Sequence, residues 1–487
     1  METMPNWLHK RAYMTPDRIA VIDEDKTAWT YRELQRKSVQ MANALKKLGI
    51  KKGDHVGFLM GNGIETVVCM HTLMYLGAII VPLNFRLTDS ELSYQLSDAE
   101  ISYLISDITY EEKAIKAAGS QATIISWETL QPGADLEEGL QVTISLNQLH
   151  TIMYTSGTTG KPKGVMLTYG NHWWSAISSS LNLGLHINDR WLSAVPMYHM
   201  SGLSILIRSV IYGITTVIHS QFDPLAVNES IRKDGVTIVS VVSTMLKRML
   251  DDLGDTIYPD TFRCMLLGGG PAPYPLLSTC QEKNIPVYQT FGMTETASQI
   301  VTLSPEYMLS KQGSAGKALF PSELRILEDG KVAGPYQHGE ILVKGPTVTS
   351  GYYNRERATK ASLVDGWLHT GDQGYIDDEG FLFVLDRRKD LIISGGENVY
   401  PAEIEAALLE HSAIIDAGVT SVPDEEWGEV PVAFVVCRTK QVTEKDLLSF
   451  LSEKLARYKQ PKSITFLDEL PRNGANKLQR RLLGVKR

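Results

Sequence analysis

The stretch Leu149–Thr168, LHTIMYTSGTTGKPKGVMLT, decides how this chain is read. Its centre, Tyr154–Gly164, packs glycines, hydroxyl side chains and two lysines into eleven residues, a composition suited to holding phosphate. A Walker loop needs G-x-x-x-x-G-K-[ST], with the Ser or Thr on Mg²⁺. Here Gly160-Lys161 is followed by Pro162, and Thr155 stands where the first glycine is required. The proline would also disturb the helix that such a loop must open. Apolar runs at 149–154 and 164–168 flank the motif, so the pattern predicts a loop between two strands. A plain glycine-rich turn would need fewer hydroxyls. Thr155, Ser156, Thr158 and Thr159, with Gly157 for backbone freedom and Lys163 for charge, point to an anion site.

Outward from the loop, short apolar runs alternate with helical patterns. HVGFLM (55–60), AIIVPL (78–83), TTVIHS (215–220), VTIVSVV (236–242) and CMLLGGG (264–270) read as buried strands, the signature of layered α/β structure with mainly parallel sheet. At 487 residues the chain is long enough for about three structural units. Its net charge of −8 argues against a nucleic-acid partner, so a phosphorylated ligand needs locally concentrated cations. The four cysteines show no metal-like spacing and read as free thiols in a reducing cytoplasm. The longest apolar run, Val67–Leu83, contains His71, Gly77 and Pro82, and predicts a buried helix and strand, not a membrane span. A homo-oligomer is compatible with the sequence. The character shifts near LDRRKDLIISGGENVYPAEIEAAL (385–408), where Pro401 suits a first helical turn and Glu403 and Glu405 favour its positive end. This places a large domain at 1–385, a hinge at 386–390 and a small α+β domain at 391–487.

Six further segments follow the loop in order: VPMYHMSGL (195–203), LLGGGPAP (266–273), FGMTETAS (291–298), TGDQG (370–374), DRRKDLIISGGENVYPAEIE (386–405) and PRNGANK (471–477). With the loop, they resemble the adenylate-forming superfamily of acyl-CoA synthetases, peptide-synthetase adenylation domains and luciferases. The resemblance implies an α/β fold: a large N-terminal domain of layered α/β subdomains with an accessory β-barrel, and a small mobile α+β C-terminal domain. It implies an ATP-dependent acid–thiol ligase using Mg²⁺, with coenzyme A as co-substrate and a small-molecule carboxylate as partner. Lys477 would bridge the carboxylate and the α-phosphate, Thr294 would touch that phosphate, and Glu295 would hold Mg²⁺ as a hard oxygen ligand. Gly269, Gly270 and Pro271 would line the adenine slot, Phe291 would pack on adenine, and Asp372 and Arg387 would reach the ribose. Phe291 and Asn476 depart from the Tyr and Gly common in relatives.

By the same resemblance, His199 is an aromatic wall of the acyl pocket, Lys389 the pivot of a domain rotation, and Gly395 and Gly396 the lining of a coenzyme A tunnel. A narrower likeness, carried by LLGGGPAP, FGMTETASQIVTLSPE and PRNGANKLQRR, is to the branch that activates 2-succinylbenzoate for menaquinone biosynthesis. Such a substrate has a second carboxylate, for which Arg208 is the candidate donor; a structural arginine reads equally well. Ser201 and Thr290 could supply neutral hydrogen bonds. Another aryl or fatty acid, a separate carrier protein as acceptor, and an inactive nucleotide-binding regulator are the alternatives.

Overall fold

The structure is a computed structural model that describes residues 2–155, 161–269, 272–386, 391–438, 442–471, 478 and 480–484. The chain divides into two compact units, one of 1–85, 96–153 and 164–385, the other of 86–95, 154–163 and 386–487.

In the first unit, the run at 55–60 forms the strand His55–Leu59, parallel to both Ile79–Pro82 and Tyr103–Ser106. The sheet around it has seven strands among the described residues and includes Leu149–Thr155 and Lys163–Thr168, the two strands expected on either side of the glycine-rich loop. The apolar stretch after it divides as expected into the helix Ile64–Leu76, buried at every residue but Glu65, and the strand Ile79–Pro82. Each large apolar side chain fully removed from water here contributes roughly 1.5–3 kcal/mol before chain entropy is subtracted.

The second sheet carries parallel strands Thr215–Ile218, Arg190–Ser193, Ile238–Val242, Cys264–Gly268 and Val287–Met293. Beyond Val287–Met293 the pairing turns antiparallel, through Ser298–Leu303 and Ser314–Ala318. It continues into the accessory β-element, built from Leu382–Asp386, Trp367–Ile376, Gly339–Lys344 and Glu323–Glu328. This element is thus contiguous with the parallel sheet. Its core, formed by Ile300, Val301, Ile326, Ile341 and Leu382, also takes in Phe291.

The second unit is α+β. The hairpin Ile414–Asp424 and Gly428–Cys437 anchors a sheet of five strands among the described residues. Helices Pro401–Leu409 and Glu444–Ser452 cover it, burying Ile404, Leu408, Leu447 and Leu451 against Val419 and Val435. The two acids expected to favour a helix N-terminus are engaged tertiarily: Glu403 accepts from the buried Lys459 at 2.7 Å, and Glu405 from Arg480. Among the described residues no helix is long and apolar enough to cross a membrane, and all four cysteines are free thiols.

Three fully buried histidines lie in the core of the first unit. His71 and His150 have no hydrogen-bond partner on either ring nitrogen, and His172 meets Thr151 Oγ1 at 3.0 Å. Burial holds His71 down to about 3; for His172, also about 3, burial is joined by the Arg208 charge. A histidine depressed in the fold contributes its full stability above the unfolded value near 6.5, and loses it as pH falls toward about 3. By about pH 5, His71 alone costs about 2 kcal/mol. His71→Leu is therefore expected to lose about 2 kcal/mol less than wild type between about pH 7 and about pH 5 in urea denaturation. Parallel losses in the two proteins would show that His71 does not titrate on unfolding.

Candidate active site

The parallel strands of the second sheet all end on one side, where α/β proteins place their ligands. Gly269, with φ +89°, follows the strand Cys264–Gly268 directly. Thr290 stands beside it on the next strand, its hydroxyl 3.4 Å from Leu267 O. The register between Val287–Met293 and Ser298–Leu303 slips at Phe291/Gly292. A Cβ at Gly292 would lie 2.1 Å from Ser298 O, so only glycine permits this bulge. The bulge feeds a single 3-10 turn, Thr294–Thr296, closed by left-handed Ala297 at φ +52°. Thr296 pins the turn by accepting from Met293 N at 3.0 Å and donating to Ser298 O at 2.8 Å.

That turn places Glu295 in the interior, 3% exposed. Tyr352 Oη donates to Glu295 Oε1 at 3.0 Å, and Thr349 N donates to the Glu295 carbonyl at 2.8 Å. Tyr352 is itself fixed by the antiparallel pairing of Gly351–Tyr352 with Val165 and Met166, on the strand that leaves the glycine-rich loop. Among the described residues Glu295 has no cationic side-chain partner. A buried carboxylate with one neutral donor is costly unless a cation joins it. Its hard oxygen suits Mg²⁺.

His199 is half-buried, directly ahead of the helix Met200–Tyr212, and its ring meets Tyr198 edge-on at 4.7 Å. On that helix Ser201 is exposed, whereas Arg208 is 2% exposed. Arg208 Nη2 donates to Ser175 Oγ at 3.1 Å, its guanidinium lies over Trp191, and its Nε has no partner among the described residues. Arg208 is thus a buried cation without a carboxylate beside it among the described residues, not a surface arginine. Asp372 is buried on the strand Trp367–Ile376. Phe291 differs from expectation: strand alternation turns its ring into the core, 2% exposed, so an adenine contact would require that packing to open.

In the second unit, Thr155 and Lys163 close the described ends of the loop. Tyr154 Oη donates to Gln95 O at 3.4 Å and Tyr94 Oη to Pro162 O at 3.2 Å, so one helix holds both ends. Gly395 has φ +58°, and a Cβ there would lie 2.5 Å from the Trp427 ring. Gly396 is also left-handed, at φ +87°. Beside them is a cavity of about 550 Å³ lined by Ser394, Trp427, Pro431, Arg86, Arg457 and Lys462. Arg86 and Lys462 also pair with Glu397 and Asp424. Ser156, Gly157, Thr158, Thr159, Gly270, Pro271, Arg387, Lys389 and Lys477 lie outside the described residues.

Residues 8–353 match the AMP-binding enzyme family, and 403–477 match the AMP-binding enzyme C-terminal domain. The chain belongs to the AMP-binding enzyme family. Within it, the 2-succinylbenzoate–CoA ligase of Bacillus cytotoxicus is 54% identical over 483 residues, covering 99% of this chain and 98% of that protein. A variant of o-succinylbenzoate coenzyme A synthetase from Bacillus subtilis, bound with its product analogue, is 48% identical. It superposes with a TM-score of 0.96, covering 100% of this chain and 99% of the other. The same synthetase in complex with ATP and magnesium ion is 48% identical and gives 0.77, covering 99% and 100%.

For an AMP-binding enzyme, the described site adds residues that the motifs did not single out. Tyr352, in GYYNRE, and Gly292 carry no local chemical signal; only the distant pairing of Glu295 with Tyr352 gives them a role. Trp427, Arg457 and Lys462 likewise meet Gly395 and Arg86 through folding, not spacing.

Proposed function

We propose that the chain adenylates 2-succinylbenzoate with ATP, releasing pyrophosphate, and transfers the acyl group to coenzyme A in menaquinone biosynthesis. The observation that carries this reading is the buried carboxylate of Glu295, without a cation among the described residues, in a chain alike over its full length to 2-succinylbenzoate–CoA ligases. In the first step a substrate carboxylate oxygen attacks the α-phosphorus and pyrophosphate departs. No base is required, because the nucleophile is already an anion. Lys477 neutralises the two meeting anions, Thr294 donates to the α-phosphate, and the loop residues Thr155 to Thr159 with Lys163 hold the departing phosphates. Mg²⁺, when bound, neutralises phosphate charge, and Glu295 is the residue to hold it. Gly269, Gly270, Pro271 and Phe291 serve adenine; Asp372 and Arg387 serve the ribose.

In the second step the coenzyme A thiolate attacks the acyl carbonyl and AMP leaves. Gly395 and Gly396 would admit pantetheine, and the cations Arg86, Arg457 and Lys462 suit the phosphates of coenzyme A. The proposed division is an ATP and acyl domain at 1–385, a hinge at 386–390 and a mobile lid at 391–487, supported by the break in compactness between Leu385 and Asp386. Lys389→Pro is expected to cut overall thioester formation by about ten-fold or more while sparing ATP–pyrophosphate exchange. Equal losses in the two assays would remove the hinge role. The proposed setting is the cytoplasm, in keeping with four free thiols.

His199, Ser201 and Thr290 are proposed to shape the acyl pocket, with Arg208 answering the second carboxylate. Arg208→Met should raise KM for 2-succinylbenzoate about ten-fold or more, against a smaller change for a monocarboxylate analogue. An equal rise for both acids would assign Arg208 to packing. The function itself is tested by ATP–pyrophosphate exchange over a carboxylate panel, repeated with coenzyme A and thioester detection. A strong preference for palmitate or acetate would overturn the substrate and keep the reaction class.

A further inference from the structure

A second cavity, of about 220 Å³, opens on the first unit between the end of the helix Tyr169–Leu183 and the strands Ser298–Leu303 and Ser314–Ala318. It shares no lining residue with the candidate active site. Three polar side-chain atoms on its wall are buried without a hydrogen-bond partner: Ser178 Oγ, Asn182 Nδ2 and Thr302 Oγ1. Ser178 and Thr302 are only 1% and 5% exposed as residues. Buried hydroxyls and amides left unpaired cost roughly 1–3 kcal/mol each, so three on one wall call for a partner.

The charge and shape of the cavity say what that partner is. Lys317 stands opposite Thr302 in the strand pairing, and it is the one charged residue on the wall among the described residues. No carboxylate lines the cavity, in a chain whose net charge is −8. Among the described residues Lys317 has no salt bridge; its ammonium lies 4.4 Å over the Phe381 ring. Tyr307 packs edge-on to Phe381 at 5.0 Å, which makes this wall aromatic. Leu181 and Phe320, both exposed, form an apolar rim. An ammonium, an amide donor and two hydroxyls define an anion subsite, and the aromatic wall and apolar rim suit a flat ring. The volume falls below the ~300 Å³ at which drug-sized sites begin, so a nucleotide does not fit.

We propose that this cavity is a binding site for a small aromatic carboxylate, the carboxylate held by Lys317, Asn182, Ser178 and Thr302 and the ring lying against Tyr307 and Phe381. The test is ¹⁹F NMR titration of the full chain with 4-(trifluoromethyl)benzoate. Wild type is expected to show a saturable bound signal that weakens ten-fold or more in Lys317→Ala. It should also weaken in the Ser178→Ala/Thr302→Val double variant, which keeps the charge. Lys317 is exposed, so its replacement leaves the fold intact. 4-(Trifluoromethyl)benzamide, of the same shape without the charge, should bind at least ten-fold more weakly. Identical isotherms for wild type and both variants would overturn the site, and equal binding of acid and amide would overturn its anion chemistry. ATP–pyrophosphate exchange should persist in Lys317→Ala, so failure of this proposal is separable from failure of the ligase reading.

Discussion

Lys477→Ala is expected to lower ATP–pyrophosphate exchange by about 10²–10³-fold, the largest effect of any substitution considered for this chain. The reacting carboxylate and the α-phosphate are both anions, and bringing them together is the main electrostatic obstacle in the first step. A compact ammonium on a flexible stem neutralises both and adds no bulk, which the planar guanidinium of Lys477→Arg cannot reproduce. Lys477 closes the segment matched by the family's C-terminal domain, and its role rests on the motif PRNGANK. The second step has no such meeting of anions, since a thiolate attacks a carbonyl and AMP leaves. Supplied with preformed acyl-adenylate and coenzyme A, Lys477→Ala should therefore make thioester at close to the wild-type rate. The measurement is exchange of radiolabelled pyrophosphate beside single-turnover thioester formation. A comparable fall in both would mean that Lys477 supports the fold of its domain and not the charge balance of one step.

The sequence made some of this legible and hid the rest for physical reasons. Buried parallel strands announce themselves as continuous apolar runs, so His55–Leu59, Thr215–Ile218 and Cys264–Gly268 stand where those runs predict. The failure of the Walker pattern at Pro162 correctly indicated a loop between strands. Pro401 opens its helix as its fixed φ suggests. Pairings across long sequence separations were not readable. Tyr352 lies 57 residues from Glu295, and nothing in GYYNRE marks a tyrosine that holds a carboxylate. Phe291 was misjudged for a related reason: the motif names the residue, but strand alternation and the core of the accessory β-element decide which way its ring points. Glu403 and Glu405 fit a helix-dipole argument worth a few tenths of a kcal/mol, yet the buried Lys459 and Arg480 set their partners.

Glu295→Gln separates a structural acid from one placed for a metal ion. The carboxylate is buried, accepts from Tyr352 Oη at 3.0 Å, and has no cation beside it among the described residues. Glutamine keeps the shape, and its amide oxygen can still accept from Tyr352. In the absence of ligand, then, the substitution removes an uncompensated buried charge, and thermal stability should stay the same or rise. Function should move the other way. Exchange activity is expected to fall by about 10²–10³-fold, with Mg²⁺ saturation shifted to higher concentration, because a neutral oxygen is a poorer ligand for a hard cation. Tyr352→Phe removes one neutral hydrogen bond, worth about 1 kcal/mol, or roughly five-fold in rate, and leaves the charge in place. The contrast carries the test. A carboxylate held for the metal gives a large functional loss without destabilisation in Glu295→Gln and a small one in Tyr352→Phe. If Glu295→Gln instead melts well below wild type and its Mg²⁺ dependence is unchanged, the carboxylate belongs to the fold of the hairpin, and the cation must be held by other oxygens.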